Sequence, residues 1–209
     1  MERLLVLFDV DGTLFATDDP LVGVALGETL SRRYGVELPE DALQRVDHDG
    51  QTALRIGRLV LRDAGVEHPA GLQDWCDELS SRYLELLACA DTSGWAAGLD
   101  AEEALERLET VGHRLALLTG NPEPVARARL ARLGLARFFP VGQGAFGCES
   151  ESRTELIGHA RARAGDWPGE ATVEVGDTAV DASSAREAGI RSLLVRHGAS
   201  LADAVAQLG

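Results

Sequence analysis

Leu4-Leu5-Val6-Leu7-Phe8-Asp9-Val10-Asp11-Gly12-Thr13-Leu14 is the stretch that decides the fold of this chain. Its five leading apolar residues predict a strand buried on both faces, which is typical of the centre of a parallel sheet. The strand delivers Asp9 and Asp11 at its carboxyl end, the edge at which open α/β sheets bind ligands. Because neighbouring negative charges repel each other, this pair indicates a site that holds a positive partner.

The composition predicts a folded protein with a large core. Of the 209 residues 45% are hydrophobic and only 7 are Pro, which excludes a disordered chain. A formal net charge of −14 argues against nucleic acid and membrane surfaces as partners, since both require a basic face. No apolar run is long enough to span a membrane, and Met1-Glu2-Arg3 leads into the first strand without a cationic leader. We therefore expect a cytoplasmic protein, monomeric or homodimeric.

The three cysteines, Cys76, Cys89 and Cys148, are widely spaced and include no CxxC pair. An odd number in this pattern excludes a disulfide framework and a zinc knuckle. The prediction is therefore that all three are buried, reduced thiols.

Residues 15–95 predict a block of helices, because apolar residues recur at helical spacing and no strand pattern interrupts them. We interpret the block as a small all-helical cap inserted into an α/β core formed by 1–14 and 96–209. The predicted boundaries are a helix from Asp18 or Asp19 with Pro20 to Gly35, a second after Pro39, a third from Thr52 to Gly65, and a fourth through Trp75, Leu79, Tyr83, Leu84 and Leu87.

Strands and helices alternate after Trp95, which predicts right-handed βαβ units and a doubly wound, Rossmann-like parallel sheet. The predicted strands are 114–118, a weaker one at 139–142, 171–175 and 191–195. The predicted helices begin at Asp100, at Asn121 with Pro122, at Glu155, after Gly176-Asp177-Thr178, and at Ser200.

Polar side chains follow three of the predicted strands: Asp9 with Asp11, then Thr119, then Asp177 with Asp181. If these strands are neighbours, their carboxyl ends open at one edge of the sheet. Four carboxylates at one point would repel each other unless a divalent cation is bound. Oxygen ligands beside a phosphate suit Mg²⁺, which is therefore the predicted cofactor.

The run Asp9-Val10-Asp11-Gly12-Thr13, followed in order by Thr119 and Gly176-Asp177, resembles the motifs of the haloacid dehalogenase-like hydrolase superfamily. The similarity spans almost the whole chain and points to the phosphoglycolate-phosphatase-like branch with a helical cap. It implies that Asp9 is a nucleophile that becomes an aspartyl-phosphate and that Asp11 is the general acid. It also implies that Asp9, the carbonyl of Asp11 and Asp177 bind Mg²⁺, with Asp181 as an auxiliary group.

The resemblance further implies that Thr119, Gly120 and Asn121 bind the phosphoryl group, beside the N–H groups that open the next helix. The family usually adds a Lys before the helix that precedes the Gly-Asp strand. This chain contains no Lys, and all 20 of its basic residues other than His are Arg. Arg153 stands where that Lys would be, and it offers a cation of different, planar geometry.

In proteins of this type the cap closes over the site and recognises the leaving group of the substrate. The loop with Gly50, Gln51 and Thr52 is the part of the predicted cap expected to face Asp9. Hydrolysis of a small phosphorylated metabolite is the leading interpretation, because the dehalogenases of the superfamily lack the acid at the position of Asp11. Two alternatives stay open: a phosphomutase of the β-phosphoglucomutase type, and a non-catalytic module that binds a phosphorylated ligand.

Overall fold

A computed structural model of the chain describes residues 3–196 and 198–208, so that Met1, Glu2, His197 and Gly209 lie outside the description. The strands are β1 (Leu5–Phe8), β2 (Arg114–Thr119), β3 (Ala145–Phe146), β4 (Thr172–Gly176) and β5 (Arg191–Leu194). Within the described residues they form one sheet in the order β3-β2-β1-β4-β5, with every pairing parallel. The predicted parallel α/β fold is confirmed, and β1 lies in its middle.

Four helices follow β1, and after Trp95 helices and strands alternate as predicted. Asp19 caps the first helix by accepting from Leu21 N at 3.0 Å, and Gly35 ends it in the left-handed conformation. The helices are α1 (Pro20–Tyr34), α2 (Ala53–Asp63), α3 (Leu72–Cys89), α4 (Ala101–Thr110), α5 (Glu123–Arg132), α6 (Arg153–Arg163), α7 (Ala179–Glu187) and α8 (Leu201–Val205). None of those within 3–196 and 198–208 combines the length and the hydrophobicity that crossing a bilayer requires.

The central strand is apolar along its whole length because both of its faces are covered. Leu4, Val6 and Phe8 pack against α4, α5 and α8 on one side of the sheet. Leu5 and Leu7 pack against α6 and α7 on the other side. All five side chains are 7% exposed or less. A continuous apolar run thus marks a strand that is buried on both faces.

Helices α1, α2 and α3 form a layer over the carboxyl edge of the sheet, with an apolar cluster of their own that includes Leu30, Leu61 and Trp75. We call these three helices the helical layer. The start of α2 is fastened to the sheet loops, because the N–H of Ala53 donates to the Gly120 carbonyl at 2.8 Å and Leu54 N donates to the Gly147 carbonyl at 3.1 Å. The division of the chain into a cap at 15–95 and a core stays a prediction.

Three predicted local features are wrong. Residues 40–45 form turns in place of a helix after Pro39, since so short a segment gains too few hydrogen bonds to offset the cost of nucleation. No strand lies at 139–142 in the described structure, and the edge strand β3 comes later, at Ala145–Phe146. Asn121 does not cap α5: Pro122 occupies the cap position and the helix begins at Glu123.

The prediction of three buried, reduced thiols is also wrong. Cys76 on α3 and Cys148, in the loop between β3 and α6, form a disulfide across 72 positions of sequence. Cys89 is free and exposed. The disulfide joins the helical layer to the sheet, and α3 reaches Cys148 only because the two parts of the chain pack together.

Candidate active site

Three carboxylates meet at the carboxyl edge of the sheet, between β1 and β4. One oxygen from each of Asp9, Asp177 and Asp181 lies within 4.8 Å of the other two. Strand pairing produces this cluster, because Phe8 is in register with Val175 and Asp9 N donates to the Val175 carbonyl at 2.9 Å. The loops after β1 and β4, two of the three that the sequence predicts to carry the site, therefore meet at this edge of the sheet.

Gly12 allows the Asp177 carboxylate to approach the loop after β1. The φ angle of Gly12 is +71°, and a Cβ at this position would lie 2.1 Å from Asp177 Oδ2. Both the backbone conformation and the available space therefore require glycine.

The electrostatics of the cluster fit a divalent cation. Burial above all, together with the charges of Asp181 and Asp11, raises the pKa of Asp9 to about 8 against the opposing effect of Arg153. Burial and Asp181 also raise the pKa of Asp177. Within the described structure, the buried Oδ1 of Asp177 has no hydrogen-bond partner. A hard cation with oxygen ligands would satisfy that atom and offset the crowded negative charge.

Asp181 has less freedom to bind a cation than its neighbours. Its Oδ2 accepts from the N–H of Thr178 at 2.8 Å and from the hydroxyl of the same residue at 2.6 Å, which makes it part of the cap of α7. Its other oxygen faces the guanidinium of Arg153. This arrangement agrees with an auxiliary position.

Arg153, which the sequence analysis predicts to be the cation of the site, lies against the carboxylate cluster. Its side chain is 3% exposed, and its Nη2 lies 3.6 Å from Asp9 Oδ1. The same nitrogen lies 3.2 Å from Glu174 Oε1 and contacts Asp181. One guanidinium thus balances part of the charge of three buried carboxylates.

Glu174 is a site residue that sequence analysis missed. It is fully buried in β4 beside Arg153, and burial raises its pKa to about 8 against the effect of that arginine. The signal was a single charged residue within the otherwise uncharged strand Thr172–Gly176, because a fully buried glutamate requires a partner.

Asp11 lies apart from the carboxylate cluster. Its side chain is 56% exposed, and its Oδ1 lies 2.7 Å from Arg129 Nη1. The side-chain amide of Asn121 donates to the other oxygen of Asp11. Asp9 and Asp11, two residues apart, therefore face different cations.

Arg129 is the second residue that sequence analysis missed. It projects from α5 with 1% of its side chain exposed, and it also pairs with Asp19 at 2.9 Å. The hydroxyl of Tyr83 donates to the same Asp19 oxygen at 2.7 Å. The signal was an arginine on the apolar face of α5, beside Val125, Ala126 and Leu130. The helix contains other arginines, so this one did not stand out in the sequence. This network joins the sheet to α1 and α3.

The three residues that the sequence predicts to bind phosphate have different surroundings. Thr119 is fully buried, and its hydroxyl accepts from Asn121 N at 3.3 Å and Asn121 Nδ2 at 3.1 Å. Gly120 borders the cavity described below, and a Cβ there would lie 2.1 Å from the carbonyl oxygen of Gln51. The loops of the sheet and of the helical layer thus touch at Gly120.

A cavity of about 530 Å³ separates the carboxylates from the helical layer. Asp9, Asp11, Gly50 and Gln51 border it, but Thr52 does not. Thr52 is 1% exposed and caps α2, with its hydroxyl accepting from Arg55 N at 3.3 Å. Of the three predicted loop residues, Gly50 and Gln51 face the site and Thr52 has a structural position.

A family model described as haloacid dehalogenase-like hydrolase matches residues 4–189. The chain belongs to the haloacid dehalogenase-like hydrolase family. The matched range includes every residue that the sequence placed in the site.

Two relatives are similar to the chain over most of its length. The chain is 30% identical over 203 residues to the tyrosine-protein kinase PtkA of Mycobacterium tuberculosis, a match that covers 95% of this chain and 64% of the relative. It is 31% identical over 196 residues to a phosphoglycolate phosphatase of Cupriavidus necator, covering 92% of this chain and 80% of the relative. The chain therefore spans somewhat less than two thirds of the length of PtkA.

Solved structures share the fold. CbbY from Rhodobacter sphaeroides in complex with phosphate superimposes with a TM-score of 0.69 at 21% identity, covering 97% of this chain and 96% of CbbY. A CbbY mutant in complex with xylulose-(1,5)-bisphosphate gives 0.68 at the same identity and coverage. At this level of identity the likeness concerns the fold.

Proposed function

We propose that the chain is a Mg²⁺-dependent phosphatase that hydrolyses a small phosphomonoester through an aspartyl-phosphate. The observation that carries the proposal is the separation of two aspartates: Asp9 lies in the buried carboxylate cluster, and Asp11 lies outside it, against Arg129 and Asn121. A nucleophile and a proton donor need such different environments. The names of several relatives, including the phosphoglycolate phosphatase above, support this class of reaction.

In the proposed first step an oxygen of Asp9 attacks phosphorus, and the bond from phosphorus to the ester oxygen breaks. Asp11 gives its proton to that oxygen, so that the alcohol leaves neutral. In the second step Asp11 takes a proton from water, whose oxygen attacks phosphorus and releases phosphate and Asp9. Arg129 and Asn121 hold the Asp11 carboxyl group through both steps.

Asp9, Asp177 and the carbonyl of Asp11 would hold Mg²⁺, with Asp181 in support. When bound, the ion neutralises charge on the phosphoryl oxygens. Arg153 adds a fixed cation at the base of the site, and Gly120 and Asn121 offer polar groups beside the transferring phosphoryl group. Thr119 acts through Asn121. Its hydroxyl accepts hydrogen bonds from the backbone N–H and from the side-chain amide of that residue.

The region 15–95 serves as the cap in this proposal. Its closure over the cavity excludes water from the aspartyl-phosphate until the alcohol has left. Gly50 and Gln51 border the cavity and contact the leaving group. The hydrogen bonds from the start of α2 to the Gly120 and Gly147 carbonyls support a closed position of this region.

The test measures phosphate release from p-nitrophenyl phosphate and from an alkyl phosphate, with Mg²⁺ and with excess chelator. Activity should require the ion, and Asp9→Asn should abolish it while the protein stays folded. Asp11→Asn should lose about 10² to 10⁴-fold with the alkyl ester and much less with p-nitrophenyl phosphate, whose leaving group needs little protonation. Asp77→Asn on the exposed side of α3 is the matched control.

Other outcomes would decide for the alternatives. Isomerisation of a sugar phosphate without phosphate release would identify a phosphomutase. Binding of phosphorylated ligands with no turnover by the unchanged protein would identify a binding module. Full activity in excess chelator would refute the metal requirement.

A further inference from the structure

The cavity beyond the reacting phosphoryl group has a distinctive distribution of charge. Six of the residues that border it are aspartates: Asp9, Asp11, Asp18, Asp19, Asp49 and Asp177. The basic residues of its described lining are Arg129, Arg153 and His48. A substrate that carried a second anion would need one of these three to be available.

Neither arginine is available. Arg153 is 3% exposed and lies at the phosphoryl end, against Asp9 and Glu174. Arg129 is 1% exposed and already pairs with two carboxylates, those of Asp11 and Asp19. Its N–H groups bond to those two carboxylates, to Asn121 Oδ1 and to the Tyr83 hydroxyl, so a further anion has no access to this buried guanidinium.

The imidazole of His48 is also poorly placed to bind an anion. Its Nδ1 lies 3.1 Å from the Val46 carbonyl, which can only accept, so this nitrogen carries the proton. Its Nε2 lies 3.8 Å from Asp49 Oδ1, so a proton on this nitrogen would face that carboxylate. Arg45 and Arg55 border a different groove, which shares Gln51 with the cavity.

The cavity also has an apolar wall. Val22 and Leu26 of α1, Leu43, Ile56 of α2 and Leu79 of α3 form it. Such a wall holds hydrocarbon, and a carboxylate or phosphate placed there would lose its hydration without a compensating partner.

From this lining we infer that the substrate is a phosphomonoester whose leaving alcohol carries no negative charge. The inference rests on the proposed phosphatase function and narrows it. It separates this chain from the substrate named for several of its relatives, because phosphoglycolate carries a carboxylate beside the ester. The alcohol expected here has an apolar body, and a hydroxyl or ammonium group on it would be accepted beside the exposed carboxylates of Asp18 and Asp49.

The experiment compares matched pairs of esters at saturating Mg²⁺. Benzyl phosphate is paired with 4-carboxybenzyl phosphate, and 2-hydroxyethyl phosphate is paired with phosphoglycolate. The anionic member of each pair should show a kcat/KM at least about tenfold lower, chiefly through KM, because a like charge in a partly buried site repels it. Equal or higher kcat/KM for the anionic members would overturn the inference.

A charge-adding variant tests the same point in reverse. Leu43→Arg places a cation in the apolar wall and should raise kcat/KM for 4-carboxybenzyl phosphate by about tenfold relative to benzyl phosphate. Leu43→Gln, polar but uncharged, is the matched control and should leave the ratio unchanged. If both variants change the ratio equally, charge is not what selects the substrate.

Failure of this inference differs from failure of the proposed function. If no ester of either pair and no p-nitrophenyl phosphate is hydrolysed, the phosphatase proposal itself is refuted. If the esters are hydrolysed with phosphoglycolate preferred over 2-hydroxyethyl phosphate, the phosphatase proposal stands and only the charge selection is wrong.

Discussion

Arg129 Nη1 lies 2.7 Å from Asp11 Oδ1 while the same guanidinium contacts Asp19, and the arginine is almost fully buried. The proposed proton donor is thereby tied to the start of α1, where Asp19 is the cap residue. Arg129 does not reach the carboxylate cluster, so it acts on the reaction through Asp11. It is a positioning residue in the proposed mechanism.

Arg129→Met should reduce kcat for alkyl phosphates by at least about tenfold. This is less than the roughly 10² to 10⁴-fold loss expected when the general acid itself is removed. The loss should be much smaller with p-nitrophenyl phosphate, and the pH–rate profile should change. The variant leaves Asp19 buried and unpaired, at a cost of about 3–5 kcal/mol in stability. Adding Asp19→Asn should recover stability without recovering the alkyl-ester rate. Arg132→Met on the same helix is the control, and equal losses for both substrates would argue against positioning.

Arg153→Ala should lower kcat by about 10² to 10³-fold, because it removes a fixed cation beside the transferring phosphoryl group. Arg153→Lys should recover part of the rate, since charge is kept while the planar fork is lost. The alanine variant also leaves Glu174 without its partner, so its melting temperature should fall. Combining it with Glu174→Gln should restore part of the stability, since Asp9 and Asp181 still lack the guanidinium, and leave the rate low. A kcat within about threefold of the parent would show that the required cation lies elsewhere.

The metal-free protein should lose stability as the pH rises from about 4.5 to about 8. Asp9 and Glu174 have a pKa of about 8 in the folded protein, above their ordinary values of 3.8 and 4.5. The folded state therefore keeps protons that the unfolded state has released, and this contribution to stability disappears as the pH passes the folded pKa. Denaturant unfolding in chelator measures the slope, which Glu174→Gln should reduce. Stability that rises over this range and is unaffected by Glu174→Gln would contradict the prediction.

Reduction of the Cys76–Cys148 disulfide should lower the melting temperature. The bridge closes a loop across 72 positions, for which the chain-entropy model gives about 4 kcal/mol of stabilisation. Cys148→Ser should have the same effect, whereas Cys89→Ser, at the exposed free cysteine, should not. Thiol titration of unfolded protein purified without reductant gives the complementary measurement. Only Cys89 should react before reduction, and reaction of all 3 cysteines would show that the bridge does not form in solution.

The sequence alone determined the centre of the fold and the groups in the first loop. Five apolar residues before Asp9 identified the strand covered on both faces, because only a doubly covered strand is apolar at consecutive positions. The family resemblance, together with the absence of Lys from the sequence, pointed to Arg153 as the cation of the site. Helix boundaries at Asp19, Gly35 and Thr52 were also readable, since capping depends on residues within one turn of each other.

Only the tertiary structure decided the pairings between distant residues. Arg129 meets Asp11 across 118 positions, and Cys76 meets Cys148 across 72; neither partner carries a local pattern that names the other. The two-residue strand β3 is too short to leave a periodic signal. Charge selection in the cavity likewise depends on which carboxylates neutralise Arg129 and Arg153, a property of packing and not of local sequence. Local interactions can be predicted because they depend on residues that are neighbours in the sequence. A buried ion pair forms only when folding brings distant residues together and removes them from water.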